Sequence, residues 1–282
     1  MKKLDCETID STYESLEQIL GTTRSRLESL FDGLDIESFY RNKPHHPQSP
    51  EDLIFSEVRK LATLEGDYDR TCWFHLTRTL VTNTFEQGIL PLGKCLDAIW
   101  NLLYSLARKH VSVEEWDEFR RDMGSHDHAG LYEMKVSDPR EWGPFALLIK
   151  DHAFRSKEIG NHDYLGVPEI VEDICMCFTQ KHGFDLLAAF TKKTKPCIVK
   201  FFAGPRSDCV ETAIYHLYKA HRGEKCSIQC NTCYDAEGVP VAPDRIMNVE
   251  FPTYRTGRRR KMSSEAKAIS WKKAIEDLLG AA

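Results

Sequence analysis

The chain has 282 residues, 41% of them apolar and 29% charged, with a formal net charge of −5. This composition describes a globular protein with material for a sizeable core, and the charge excludes a uniformly basic nucleic-acid binder. No apolar run approaches the ~18 residues of a membrane span, and the Met1–Glu7 start has no apolar stretch after its lysines. Ten cysteines without a secretory signal then read as reduced thiols in a cytoplasmic setting.

Taken in chain order, Leu16, Ile19, Leu20, Leu27, Leu30, Phe31 and Leu34 recur at helical spacing, so residues 8–40 are predicted helical. Three prolines make 42–50 a linker. Ser49 is a predicted N-cap, with Pro50 at the first helical position and Glu51 and Asp52 in the first turn. Trp73–Thr79 reads as an apolar strand ending in a polar cluster, followed by a short helix closed by Gly88. Leu96, Ile99, Trp100, Leu103 and Leu106 mark an amphipathic helix over 93–110. Residues 111–142 are predicted to be a helix and then a mobile insertion. Strands are expected at 145–149, 196–202, 227–234 and 246–251. Helices are expected at 168–178, 185–190, 208–220 (capped by Ser207) and 264–279.

His75, Thr77, Arg78 and Thr79 at a strand end are the residue types that grip a hydroxylated ligand. The alternative is a buried histidine bonded to backbone, with threonines at an edge. His162, Asp163 and Tyr164, with Glu169, Glu172 and Asp173, form a second group, suited to metal or acid–base work or to a charge cluster at a helix start. Cys226, Cys230 and Cys233 have the spacing of a radical-SAM cluster motif, but too little chain follows for such a barrel. Zinc, with His216 or His221 as fourth ligand, is the remaining metal reading. Strand alternation separates Cys233 from the other two and favours free thiols, so no metal is assigned. Arg255, Arg258, Arg259, Arg260 and Lys261 beside Tyr254 could meet phosphates of a nucleotide or nucleic acid, or form a solvated linker.

The order aromatic-His-Leu-Thr on a core strand, then Gly88-Ile-Leu-Pro91, resembles the opening of the ADP-ribosyltransferase superfamily, in particular DNA-targeting toxins and RNA 2′-phosphotransferases. That resemblance covers about residues 70–252 and implies an α+β fold with a split β core, which together with the helical periodicity gives a helical N-terminal part over 1–65, a core over 66–262 and a C-terminal helix over 263–282. It implies NAD as substrate, held by His75, Thr77 and Arg78, with Tyr164 stacking on the nicotinamide. The family's late-strand glutamate would be replaced by Asp235 or Glu237, acting with His75 in transfer of ADP-ribose to a protein or nucleic acid. Such a carboxylate stabilises an oxocarbenium-like transition state. A bacterial toxin or defence role would suit that activity. A non-catalytic binding module on the same fold is the alternative. A third reading, a ribonuclease, rests on Arg70 and His75, which resemble the R-x-x-x-x-H pair of HEPN nucleases.

Overall fold

The computed structural model describes residues 1–64, 67–126, 132–225 and 230–254. Met1–Pro252 form one compact unit, and Thr253–Ala282 form a second. The first unit is mixed α and β, built on an open sheet whose long pairings are antiparallel.

The chain opens with a two-residue strand, β1 (Lys3–Leu4), and a helical run broken into pieces. Helix α1 (Ile9–Leu20) starts at a Thr8–Ser11 capping box and ends at Gly21, whose φ of 64° turns the chain out of the helix. Helices α2 (Arg24–Gly33) and α3 (Ile36–Asn42) follow from caps at Thr23 and Asp35. Helix α4 (Pro50–Leu61) begins as its sequence dictates, with Pro50 first and Ser49 and Asp52 exchanging side-chain and backbone hydrogen bonds.

Strand β2 (Arg70–Thr79) is the spine of the sheet. It runs antiparallel to β4 (Lys195–Ala203) over nine residue pairs, from Thr71↔Ala203 to Thr79↔Lys195. On its other edge it pairs with β1 in parallel and, at Phe74↔Leu147, with β3 (Phe145–Leu147). Strand β5 (Cys233–Asp235) flanks β3, and β6 (Ile246–Glu250) flanks β4. The resulting order is β5-β3-β2-β4-β6, with β1 at the head of β2.

Alternation along β2 divides its side chains between two faces. Trp73 and its register partner Phe201 lie in a core with Val199 and Cys197, packed against α1, α2, α4 and α10 (Ser207–His221). This is the packed face, and burying a side chain such as Trp73 contributes about 2–3 kcal/mol. A second core, with no strand residue in it, joins α5 (Leu92–Ala107), α6 (Val113–Arg121), α8 (Glu169–His182) and α9 (Leu186–Lys193) around Trp100, Trp116, Phe119 and Phe178. Short α7 (Tyr132–Ser137) closes it, with Tyr132 accepting a bond from the Trp100 indole.

Several expectations change. The 8–40 helix is three helices. The N-terminal 65 residues are not a separate part: β1 joins the sheet, and Leu16, Leu27 and Ile54 lie in the same core as Trp73. Residues 85–88 form a turn rather than a helix, because Phe85 and Gly88 both take positive φ and Ile89 then bridges to Val241. The helix expected at the start of 111–142 is α6, and the mobile insertion expected after it carries α7 and two 3₁₀ turns among its described residues. Ser207 is the first helical residue of α10, and Arg206 takes the cap position. Of the strand expected at 227–234, Cys230 to Thr232 are not strand, β5 spans Cys233–Asp235, and 226–229 lie outside the described residues. The expected C-terminal helix and the basic cluster from Arg255 to Lys261 also lie outside them.

Candidate functional site

The end of β2 carries the first group. Alternation places Trp73, His75, Thr77 and Thr79 on the packed face, opposite Phe201, Val199, Cys197 and Lys195. The core thins toward Thr79: Trp73 is fully buried, whereas His75, Thr77 and Thr79 are half-buried. The Thr79 hydroxyl accepts a bond from Asn83, which fixes the turn that follows. That turn is anchored by the Ile89–Val241 bridge. Gly88 lies so close to it that a Cβ would stand 1.9 Å from the Val241 carbonyl oxygen.

His75 has a defined protonation pattern. Its Nδ1 lies 2.8 Å from the Phe145 carbonyl oxygen, which can only accept. Nδ1 therefore carries the proton. Burial lowers the pKa of the ring, opposed only by that backbone bond, so the imidazole is neutral near pH 7. Nε2 is then a bare acceptor, suited to a ligand hydroxyl.

Arg78 points the other way, with Phe74 and Lys200 on the face opposite the packed one. Its guanidinium donates to the carbonyls of Leu165 at 2.9 Å, Thr191 at 2.9 Å and Thr194 at 3.0 Å, and to the Thr194 hydroxyl at 3.3 Å. These carbonyls include those at the end of α9, where a cation is favoured by the helix dipole. Arg78 is thus a brace between β2, α9 and the loop bearing Tyr164, and its donors are directed at protein rather than at a ligand.

The second group does assemble. His162 lies on the loop before α8, with its ring 4.9 Å from that of Tyr164 and its Nε2 2.6 Å from the Val167 carbonyl. Glu169 and Glu172 approach the same imidazole at 3.7 and 3.9 Å. Lys135 joins Glu169 at 3.3 Å and Asp173 at 2.9 Å. Burial, with Glu169 beside it, pushes the Tyr164 phenol well above its ordinary value. Burial also raises the Asp173 carboxyl, against the pull of Lys135. Tyr164 therefore stays protonated and offers a ring and a hydroxyl donor.

The expected carboxylates do not join His75 on its face. Tyr234 packs its ring 5.3 Å from Trp73 and 5.2 Å from Phe201, which puts it on the packed face. Asp235, one residue on and paired with Phe145, projects from the other face. Its Oδ1 accepts the backbone N–H of Glu237 at 2.8 Å in a turn where Glu237 has φ 51° and is exposed. Arg70 and His75, five positions apart on one strand, also face opposite sides, and the Arg70 guanidinium covers the Phe202 ring. The helix-borne Arg–His pair that the ribonuclease reading needs is not formed.

Cys230 is fully buried, Cys233 is exposed on β5, and Cys226 lies outside the described residues. Among the described residues no three or more His, Cys, Asp or Glu side chains gather as a metal cluster.

A charge network that the sequence reading missed lies on the far face. Lys200, only 8% exposed, places Nζ 2.7 Å from both Asp5 and Glu7. Lys150 joins Glu7 at 2.9 Å and also reaches Glu250. The bonds from Lys150 and then Lys200 hold the Glu7 carboxyl down to about 2. A lysine inside the apolar β4 run was its one sequence signal. Its partners are too distant along the chain to be inferred. The network ties β1 to β4, β6 and the segment after β3.

No helix among the described residues is long and apolar enough to cross a membrane. Compared with protein-family models, curated proteins and solved structures, the chain matches none.

Proposed function

We propose that this chain is an ADP-ribosyltransferase-like protein that binds NAD or a related nucleotide at the end of β2. The observation that carries the reading is the state of His75. A neutral imidazole, fixed by Phe145 and presenting a bare Nε2, is built to accept a hydrogen bond from a sugar hydroxyl. Thr77 and Thr79 share its face and offer hydroxyls of both donor and acceptor character. Tyr164 lies on the loop that Arg78 braces from the opposite face, so the stacking role expected of it is not carried by the His75 face. In this reading the sheet is the nucleotide-holding core of the superfamily.

Binding rather than transfer is the activity we assign. Transfer needs a carboxylate beside the anomeric carbon, close to the group that holds the ribose. Asp235 projects from the other face, and Glu237 sits in an exposed turn. The acceptor surface expected from Arg255 to Lys261 stays a sequence proposal.

Calorimetric titration of NAD into the purified protein tests this. We expect saturable binding, lost in His75→Ala with the fold retained. A folded protein that gives no heat with NAD or ADP-ribose overturns the nucleotide reading. Nicotinamide release above the solvent rate would replace binding with catalysis.

A further inference from the structure

The end of β2 that carries the nucleotide reading also meets a group of lysines that the reading leaves unused. Lys192 and Lys193 close α9, and Lys195 opens β4. All three are exposed, and among the described residues none has a carboxylate partner. By contrast, Lys135, Lys150 and Lys200 are each tied to a carboxylate, at 2.9, 2.9 and 2.7 Å.

Lys195 is set apart by its register. It stands directly opposite Thr79, on the face that carries His75 and Thr77. The dipole of α9 accounts for Lys192 and Lys193 in its last turn. It does not account for Lys195, which lies past the helix. The carbonyls of Thr191 and Thr194 at that end are already met by Arg78 from the other side of the sheet. Thr79 complements the cation. Its oxygen accepts from the Asn83 amide at 3.0 Å, so its own proton is left to donate. The pair offers a positive charge and a hydroxyl donor side by side, which is what a phosphate oxygen takes.

Spacing decides which ligand can use the pair. Same-face neighbours on a strand are ~7 Å apart, so Thr79 and Lys195 lie about 13 Å along β2 from His75. A sugar hydroxyl on His75 Nε2 leaves that distance for the rest of the ligand to cross, less the reach of the lysine stem. A nucleoside has nothing to send there, whereas a diphosphate arm does. We propose that Lys195 and Thr79 form the phosphate end of the nucleotide site, so that it selects a diphosphate-bearing nucleotide over a nucleoside. The proposal rests on the nucleotide reading of His75.

The test is calorimetric titration of the full-length protein with ADP-ribose, ADP and adenosine at low and high salt. Lys195→Ala and Lys195→Glu are compared with wild type and His75→Ala, and Lys192→Ala controls for the loss of one exposed charge. Lys195 is exposed, so its variants should keep the wild-type melting temperature. We expect ADP-ribose and ADP to bind more tightly than adenosine. Lys195→Ala should weaken both diphosphates by about five- to tenfold and Lys195→Glu by more, with the wild-type advantage shrinking at high salt. Lys192→Ala should stay within about twofold of wild type. Adenosine binding as tight as ADP-ribose overturns the proposal, and so does unchanged ADP-ribose affinity in Lys195→Glu. If His75→Ala still abolishes binding in either case, the nucleotide reading survives. ADP bound equally well by His75→Ala and wild type, and matched by tripolyphosphate, reduces the lysines to an unselective anion patch and also overturns it. A folded protein that binds none of the three ligands overturns both readings.

Discussion

Replacing Arg78 by alanine should unfold the junction between the two cores before it alters any ligand. The guanidinium makes four hydrogen bonds to three residues, two of which, Leu165 and Thr194, are fully buried. A single hydrogen bond to a charged donor contributes about 1.5–3 kcal/mol, and these four share one cation, so they do not add. Truncation also strands buried carbonyls at the end of α9. Together these give a loss of about 3–5 kcal/mol, comparable to breaking a buried ionic contact. For a unit of this size that lowers the melting temperature by about 6–20 °C. Arg78→Lys keeps the charge but not the fork, so it should recover only part of the loss. The assay is urea and thermal unfolding of wild type and both variants, with tryptophan fluorescence following the Trp73 and Trp100 cores separately. If Arg78→Ala stays within about 1 kcal/mol of wild type, the brace argument fails and Arg78 becomes available again as a ligand contact.

Lys200→Met should cost about 3–5 kcal/mol, because it leaves the nearly sealed Asp5 carboxylate without its main partner; a neutral result in chemical unfolding would remove the network from the stability argument. Glu7 titrates lower in the folded state than in the unfolded state, so its contribution is complete above about pH 4.5 and is lost as pH falls toward 2. Lys150→Met should flatten that acid limb in unfolding curves recorded from pH 6 to pH 2, and an unchanged limb would sink the assignment. The His75 pKa is lowered by burial, so its contribution is present above the unfolded value near 6.5 and weakens below it. Nitrogen-15 spectra should show the Nδ1–H tautomer at pH 7, and an Nε2–H signal would contradict the Phe145 bond. Gly88→Ala combines a positive φ of 77° with a clash on the Val241 carbonyl and should cost at least about 2 kcal/mol in unfolding experiments.

Local chemistry was legible where the deciding atoms are neighbours in sequence. Ser49, Pro50 and Asp52 announce α4 because a capping box closes within four residues. The apolar run from Pro196 to Phe202 announces β4, which is buried on both faces. Strand β1 was not legible, since two residues gain strand character only from a parallel partner near position 70. The short helix expected to close at Gly88 is not formed, because the left-handed Phe85 and Gly88 and the bridge from Ile89 to Val241 decide otherwise. At the site, His75 could be singled out as a polar residue at a strand end. The role of Arg78 could not, because its acceptors lie 87 to 116 residues away. The face taken by Asp235 depends on the β3–β5 register, which no local pattern encodes.

The stitching of residues 3–7 into the sheet has a consequence for synthesis. Lys3 and Leu4 emerge from the ribosome well before their strand partners at Arg70 and Thr71. Asp5 must wait for Lys200, and the charge chain through Glu7 and Lys150 closes only with Glu250. Residues 3–7 are therefore fixed long after they are made. Long-range closures of this kind slow folding and lengthen the time that strand edges stand open. A nascent chain halted before Glu250 would carry β1 without its full electrostatic clasp and the outer edge of β4 without β6, leaving a sheet edge open to pairing with other chains.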